Sequence, residues 1–313
     1  MSVLFVIVDA LVPIALVILL GIMAGRAGVI KPEQSSVLAD LALDFCLPSL
    51  LFVATATMST AELSRWQFFL GIALGLLAIY VVAFLVALLV FRKPVGDSSL
   101  QALNSAFPNM AFMGIPVLSA VMGAGATLSV VVGNLISSFV LIPVSLTLLE
   151  AGSVGQKGRK TSAVVAESVL SAVKKPLVWG PLLGVLMALL HIPLPSVAQK
   201  FFTLIGQATS GVALFAMGLL LSGQKFQVSI PSLVNVAFKN LLQPAVMCGF
   251  ALLLGVAGSS RREMILLGAL PTASMTAMFA VQYKVYTKDS DATIVVSTIF
   301  CVVSLGVIIA LTS

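Results

Sequence analysis

Charge is scarce in this chain. Only 9% of its 313 residues are charged and 60% are hydrophobic, whereas a soluble domain carries about a quarter charged residues. Most of the surface must therefore face lipid, which excludes a soluble enzyme. A single histidine, His191, falls at the end of an apolar stretch. Neither a metal cluster nor a Ser–His–Asp arrangement can be assembled around it. The absence of a Walker-type phosphate loop argues against direct ATP use. Cys46, Cys248 and Cys301 are odd in number and scattered through apolar stretches, so they read as small core residues rather than redox or metal ligands. The formal charge of +6 comes without basic runs interleaved with aromatics, so nucleic acid is not expected as a partner. No enzymatic activity, metal or cofactor is expected.

Long apolar stretches are what the chain has instead. About 17–25 apolar residues suffice to cross the hydrocarbon. Ten such stretches can be counted, at 3–25, 35–57, 67–91, 99–122, 127–149, 176–192, 203–222, 232–257, 263–283 and 292–312. The expected fold class is an all-α polytopic membrane protein with ten transmembrane helices. The first stretch is too long for a signal peptide and lacks a basic leader, so it is read as retained. Thirteen of the 17 Lys and Arg fall on one side, including Arg26, Arg92, Lys93, Lys157, Lys225, Lys239 and Lys284. The positive-inside rule then puts both termini outside, in a bacterium the periplasm. No Lys or Arg is expected at mid-span.

The one long polar connection, 151–175, is rich in Gly, Ser and Lys and suits a flexible cytoplasmic linker. It divides the chain into 1–150 and 176–313, five spans each. An odd number of spans per half gives the halves opposite orientation. Ala106-Phe107-Pro108-Asn109-Met110 lines up with Ala269-Leu270-Pro271-Thr272-Ala273. Gly125-Ala126-Thr127-Leu128-Ser129 lines up with Asp291-Ala292-Thr293-Ile294-Val295. The offsets are 163 and 166. Together these favour a five-plus-five inverted repeat.

The fourth and ninth spans carry the functional signal. Proline removes a backbone N–H and clashes with the preceding turn, so Pro108 is expected to end a half-helix. Asn109 to Ile115 is expected to be partly unwound, and Pro116 to open the second half, where a missing N–H costs nothing. Pro271 breaks the ninth span in the same way, followed by the hydroxyls of Thr272, Ser274 and Thr276. Unwound backbone in a membrane survives only where protein or a polar cavity satisfies it, and paired breaks mark a solute site. Half-helix N-termini suit an anion such as a carboxylate.

Other polar residues within spans leave alternatives open. Asp40 and Asp44 lie one turn apart in the second span. A carboxylate in the bilayer is costly and a functional candidate, so Asp44 is either proton-carrying or structural. Asn134, Ser137 and Ser138 make a polar stripe that either bridges helices or contributes to a site beside the fourth span. Gln207 and Ser210 could line a cavity. Asn240, Gln243 and Pro244 read as packing or interface residues.

Pro108-Asn109 with Met113-Gly114-Ile115-Pro116 resembles the crossover of the auxin efflux carrier family, which includes PIN-type carriers and bacterial malonate and malate permeases. Leu43-Asp44-Phe45-Cys46-Leu47-Pro48 and Ala269-Leu270-Pro271 are similar to it as well, and the short central loop resembles the bacterial branch. The resemblance implies a fold related to bile-acid sodium symporters, with two broken helices crossing at Pro108, Pro116 and Pro271. It implies a substrate carboxylate near Asn109; Met110, Gly114, Ile115, Thr272, Ser274, Asn134 and Ser138 are the candidate contacts around it. It further implies a dimerising scaffold of spans 1, 2, 6 and 7 and a mobile domain of spans 3–5 and 8–10. The expected function is secondary transport of a small organic anion, a dicarboxylate such as malonate, by elevator-type alternating access in the inner membrane. A sodium-coupled symporter of a larger amphipathic anion, or a channel or sensor on the same fold, stays open. Thr272-Ala273-Ser274 offers hydroxyls and no acid for sodium, so Asp44 is the candidate for proton coupling.

Overall fold

A computed structural model describes residues 3–59, 64–123, 126–152, 166, 170, 174–223 and 227–312. The expected linker falls largely outside the described residues, as do Lys157 and Lys225. Among the described residues the secondary structure is helical, with one isolated β-bridge. We label α1 Val3–Arg26, α2 Pro32–Ala56, α3 Trp66–Val90, α4 Val95–Ala106, α5 Ile115–Met122, α6 Leu128–Leu149, α7 Pro176–Leu189, α8 Ser196–Gly223, α9 Ile230–Leu253, α10 Gly258–Ala269, α11 Met275–Tyr283 and α12 Thr287–Thr312. Six of these, α2, α3, α6, α8, α9 and α12, are long and apolar enough to cross a bilayer.

Six of the prolines sort into two kinds. Pro48, Pro116, Pro143 and Pro244 each sit two residues after a wide, π-type turn: Ala42–Cys46, Met110–Gly114, Ser137–Leu141 and Phe238–Leu242. A proline cannot donate to the carbonyl a turn below and its ring crowds that carbonyl. Widening the turn by one residue relieves the clash without ending the helix. Leu47, Ile142 and Gln243, each just before such a proline, stay helical. At Pro108 and Pro271 the helix does end. Phe107 (φ −92°, ψ 104°) and Leu270 (φ −58°, ψ 149°) turn extended, the conformation that a following proline favours. The unwound stretch is therefore narrower than Asn109 to Ile115. Extended backbone covers Phe107 to Asn109, and a wide helical turn resumes at Met110.

The chain forms two compact units. The first holds Met1–Trp66, Met110–Asn134 and Val173–Gln224, and so α1, α2, α5, α7 and α8. Within it α1 lies along α8, and α2 lies along α7. Small residues set these approaches. A Cβ built on Gly218 would fall inside the radius of the Ile18 carbonyl oxygen, and one on Gly21 would lie 3.1 Å from the Gly218 Cα.

The second unit holds Gln67–Asn109, Leu135–Ala172 and Lys225–Ser313, and so α3, α4, α9, α10, α11 and α12. Its core is polar. α4 is buried from Gly96 to Ala106, taking Ser98, Ser99, Gln101, Asn104 and Ser105 with it. Buried polar groups are as a rule hydrogen-bonded, and here partners come from α12, α11, α9, α3 and the second half of α6, while the Gln101 amide has none among the described residues. Tyr80 of α3, for example, joins Ser99 and Ser145, each at 3.0 Å.

Candidate functional site

The two breaks pair with each other. Pro108 and Thr272 form an antiparallel bridge. The Asn109 N–H donates to the Pro271 carbonyl at 2.8 Å, and the Ala273 N–H donates to the Phe107 carbonyl at 2.9 Å. Each broken helix thus satisfies the backbone groups that the other set free, as an apolar surrounding demands. All these residues lie in the second unit.

Side chains hold the ends of the half-helices. Helix termini leave carbonyls without partners, and here they are capped one by one. The Thr272 hydroxyl donates to the Asn104 carbonyl at 2.8 Å, and the Thr272 N–H donates to Ser297 Oγ at 3.0 Å. Asn104 Oδ1 accepts from Thr276 at 2.9 Å and from Ser290 at 3.1 Å. Asn240 Oδ1 accepts from Ser297, and Asn240 Nδ2 donates to the Ser297 carbonyl at 3.1 Å. Gln243 Nε2 donates to the Ala106 carbonyl at the end of α4, at 2.8 Å.

The largest departure from expectation is Lys239. It lies in α9, fully buried, and not in the loop after the seventh span. Its ammonium donates to the Gly268 carbonyl near the end of α10, at 2.8 Å, and to Gln243 Oε1. A cation near a helix C-terminus is favourable because the carbonyl ends carry partial negative charge. Asn104, Asn240 and Gln243 were likewise not expected at the centre. The signal available was amides and a lysine inside apolar stretches, which are costly unless partnered.

The expected site residues divide between the units. Asn109, Thr272, Ser274 and Ser138 belong to the second unit, and Met110, Gly114, Ile115 and Asn134 to the first. All eight are buried. The Thr272 hydroxyl is occupied by Asn104, and Asn134 Nδ2 donates to the Leu177 carbonyl at 3.3 Å. Asn134 lies in the regular helix just before the wide turn Ser137–Leu141, in which Ser137 and Ser138 both lie. Pro108 and Pro271 lie in the breaks, while Pro116 sits inside the first turn of α5. Asp44 is exposed and borders an apolar hollow of about 340 Å³ with Phe45, Pro48, Phe52, Trp179 and Phe202. Depth in the span does not bring burial within the protein. Asp40 is also exposed. Gln207 borders a shallow groove with Gln199, Lys200 and Thr203, and Ser210 does not.

At the margin of the second unit, Lys93 pairs with Asp289 at 3.0 Å and lies 4.2 Å from the centre of the Tyr286 ring. Asn235 Nδ2 donates to the Tyr286 hydroxyl and to Thr293 Oγ1, each at 3.0 Å. Burial and the neighbouring Asp289 push the Tyr286 phenol above its ordinary range, so it stays neutral.

The family profile described as "Membrane transport protein" matches residues 6–309. The chain is 31% identical over 306 residues to the uncharacterized transporter YfdV of Escherichia coli, covering 94% of each chain. It is 29% identical to a putative malonate transporter of Rhizobium meliloti, over 82% of this chain and 80% of that one. It is 27% identical to auxin efflux carrier component 3a of rice, over 44% of this chain and 24% of the rice protein.

Proposed function

Because the chain belongs to the membrane transport protein family, we propose that this membrane transporter is a secondary carrier for a small organic anion. The substrate class we favour is a dicarboxylate such as malonate, and the site is the bacterial inner membrane. One observation carries the reading: the backbones at two helix breaks pair with each other inside one compact unit. A structural helix gains nothing from such a break, because continuous helix satisfies its backbone at no cost in side chains. A carrier does gain, since the start of a half-helix offers N–H donors and partial positive charge to a carboxylate. α11 starts at Met275, directly after the hydroxyl-bearing Thr272 and Ser274. Asn109, buried in the pairing, is assigned to the substrate carboxylate. The malonate transporter among the relatives supports the substrate class.

In this reading the chain crosses the membrane ten times as an inverted repeat, with α4–α5 and α10–α11 as the two broken crossings. Both termini are periplasmic. The helices α3–α6 and α9–α12 move in alternating access, and α1, α2, α7 and α8 form the fixed scaffold of a homodimer. The test is uptake into proteoliposomes across a panel of labelled mono- and dicarboxylates. Saturable uptake with counterflow is expected, competed by unlabelled malonate. Transport of no organic anion would overturn the substrate assignment, and non-saturating flux without counterflow would replace the carrier by a channel.

A further inference from the structure

The buried lysine at the crossing is not needed to close the backbone pairing, which the two breaks achieve alone. It also has an unusual set of partners. No carboxylate is among its partners: Lys239 is held by neutral oxygens, the carbonyl of Gly268 and the side-chain oxygen of Gln243. Burying an ammonium without a carboxylate is expensive, and selection of a plain cap would favour Asn, Gln or Ser. Something must repay the charge.

The helix ends supply it. α4 ends at Ala106 and α10 ends at Ala269, and Gln243 ties both ends to the lysine. Its Oε1 accepts from Lys239 while its Nε2 donates to the Ala106 carbonyl. The Cys301 thiol caps the Ala269 carbonyl at 3.7 Å. Lys239 is therefore wired directly to one helix C-terminus and, through Gln243, to the other. In carriers with broken helices, such C-terminal carbonyls are where a coupling sodium ion is held. Oxygen partners of this kind replace the hydration shell of a small cation.

We propose that Lys239 is the resident cation of the crossing, its ammonium occupying the oxygen site that a dissociable sodium ion would otherwise fill. The inference rests on the carrier reading above and adds its coupling property: transport runs without sodium because the cation is covalently attached. Its charge also offsets that of the anion carried by the same unit.

Removing the side chain should turn a tethered cation into a vacant site. The melting temperature of the purified wild-type protein should be equal in sodium chloride and in choline chloride at the same concentration. Lys239→Ala should melt lower than wild type in choline, and recover at least half of that loss in sodium or ethylammonium chloride. A sodium-stabilised wild type, or a Lys239→Ala protein indifferent to the cation, would overturn the proposal. This measurement needs no substrate, so it stands apart from failure of the uptake panel. Should Lys239→Ala not fold, Lys239→Met and Lys239→Arg decide the matter by malonate counterflow. A fall of tenfold or more in Lys239→Met with Lys239→Arg within threefold of wild type is expected, and a Lys239→Met carrier at the wild-type rate overturns the role.

Discussion

Asn104→Ala is the substitution whose cost can be worked most directly from the geometry. The side chain is fully buried in α4. Its Oδ1 accepts from Thr276 and Ser290, and its Nδ2 donates to the Leu100 carbonyl at 2.8 Å. Truncation removes three hydrogen bonds, each worth about 1 kcal/mol net. Part is recovered, because Thr276 also donates to the Ala273 carbonyl at 2.9 Å and Ser290 lies 3.3 Å from the Thr276 hydroxyl. A small void adds roughly 1 kcal/mol. The net loss should be about 2–4 kcal/mol, or on the order of 5–10 °C in melting temperature, read by thermal unfolding in detergent. Ser290→Ala alone should cost about 1 kcal/mol. The double variant should fall short of the sum by about 0.5–1 kcal/mol, since the two share one bond. An unchanged melting temperature for Asn104→Ala, or strictly additive costs, would refute the claim that this amide organises the half-helix ends.

Asn109→Ala should weaken dicarboxylate binding by about 1–3 kcal/mol, the loss of a hydrogen bond to a charged group; calorimetry showing wild-type affinity in a folded variant removes Asn109 from the site. Gly218→Ala should destabilise by about 1–3 kcal/mol through overpacking of α8 on α1, and a melting temperature within error of wild type would contradict the close approach at Ile18. Asp44→Asn should abolish stimulation of uptake by an inward proton gradient if Asp44 carries the proton; retained stimulation would reduce it to a border residue of the apolar hollow.

Much of this was readable from the sequence, and the failures share one cause. The apolar stretches coincide with helices, and Pro108 and Pro271 mark real breaks because the residues around them have no better local option than extended backbone. What a proline does is not set by the proline alone. Pro48, Pro143 and Pro244 look just as disruptive in the sequence, yet a widened turn two residues earlier absorbs each. Lys239 was misplaced because charges are sorted by distance from a span end, which assumes that each reaches water. Its carbonyl partner, Gly268, is 29 residues away, and no local pattern announces such an oxygen. Asn104 was invisible for the same reason, its hydroxyl partners lying 172 and 186 residues further on. Local propensity locates breaks; partners distant in the chain decide what a buried polar residue does.

The reciprocal pairing of the breaks also bears on biosynthesis. When Asn109 leaves the ribosome, the Pro271 carbonyl that will accept its N–H has yet to be made, and so has the Ala273 N–H for Phe107. At about 5–20 residues per second, the wait is roughly ten to thirty seconds. During that time the first break holds unpaired backbone that lipid cannot satisfy, at several kcal/mol per group. The N-terminal half must therefore linger near water, an insertase or the translocon until its complement arrives. Neither half of this chain can finish folding by itself, so a gene split within the central linker should yield stable protein only when both fragments are made in the same cell.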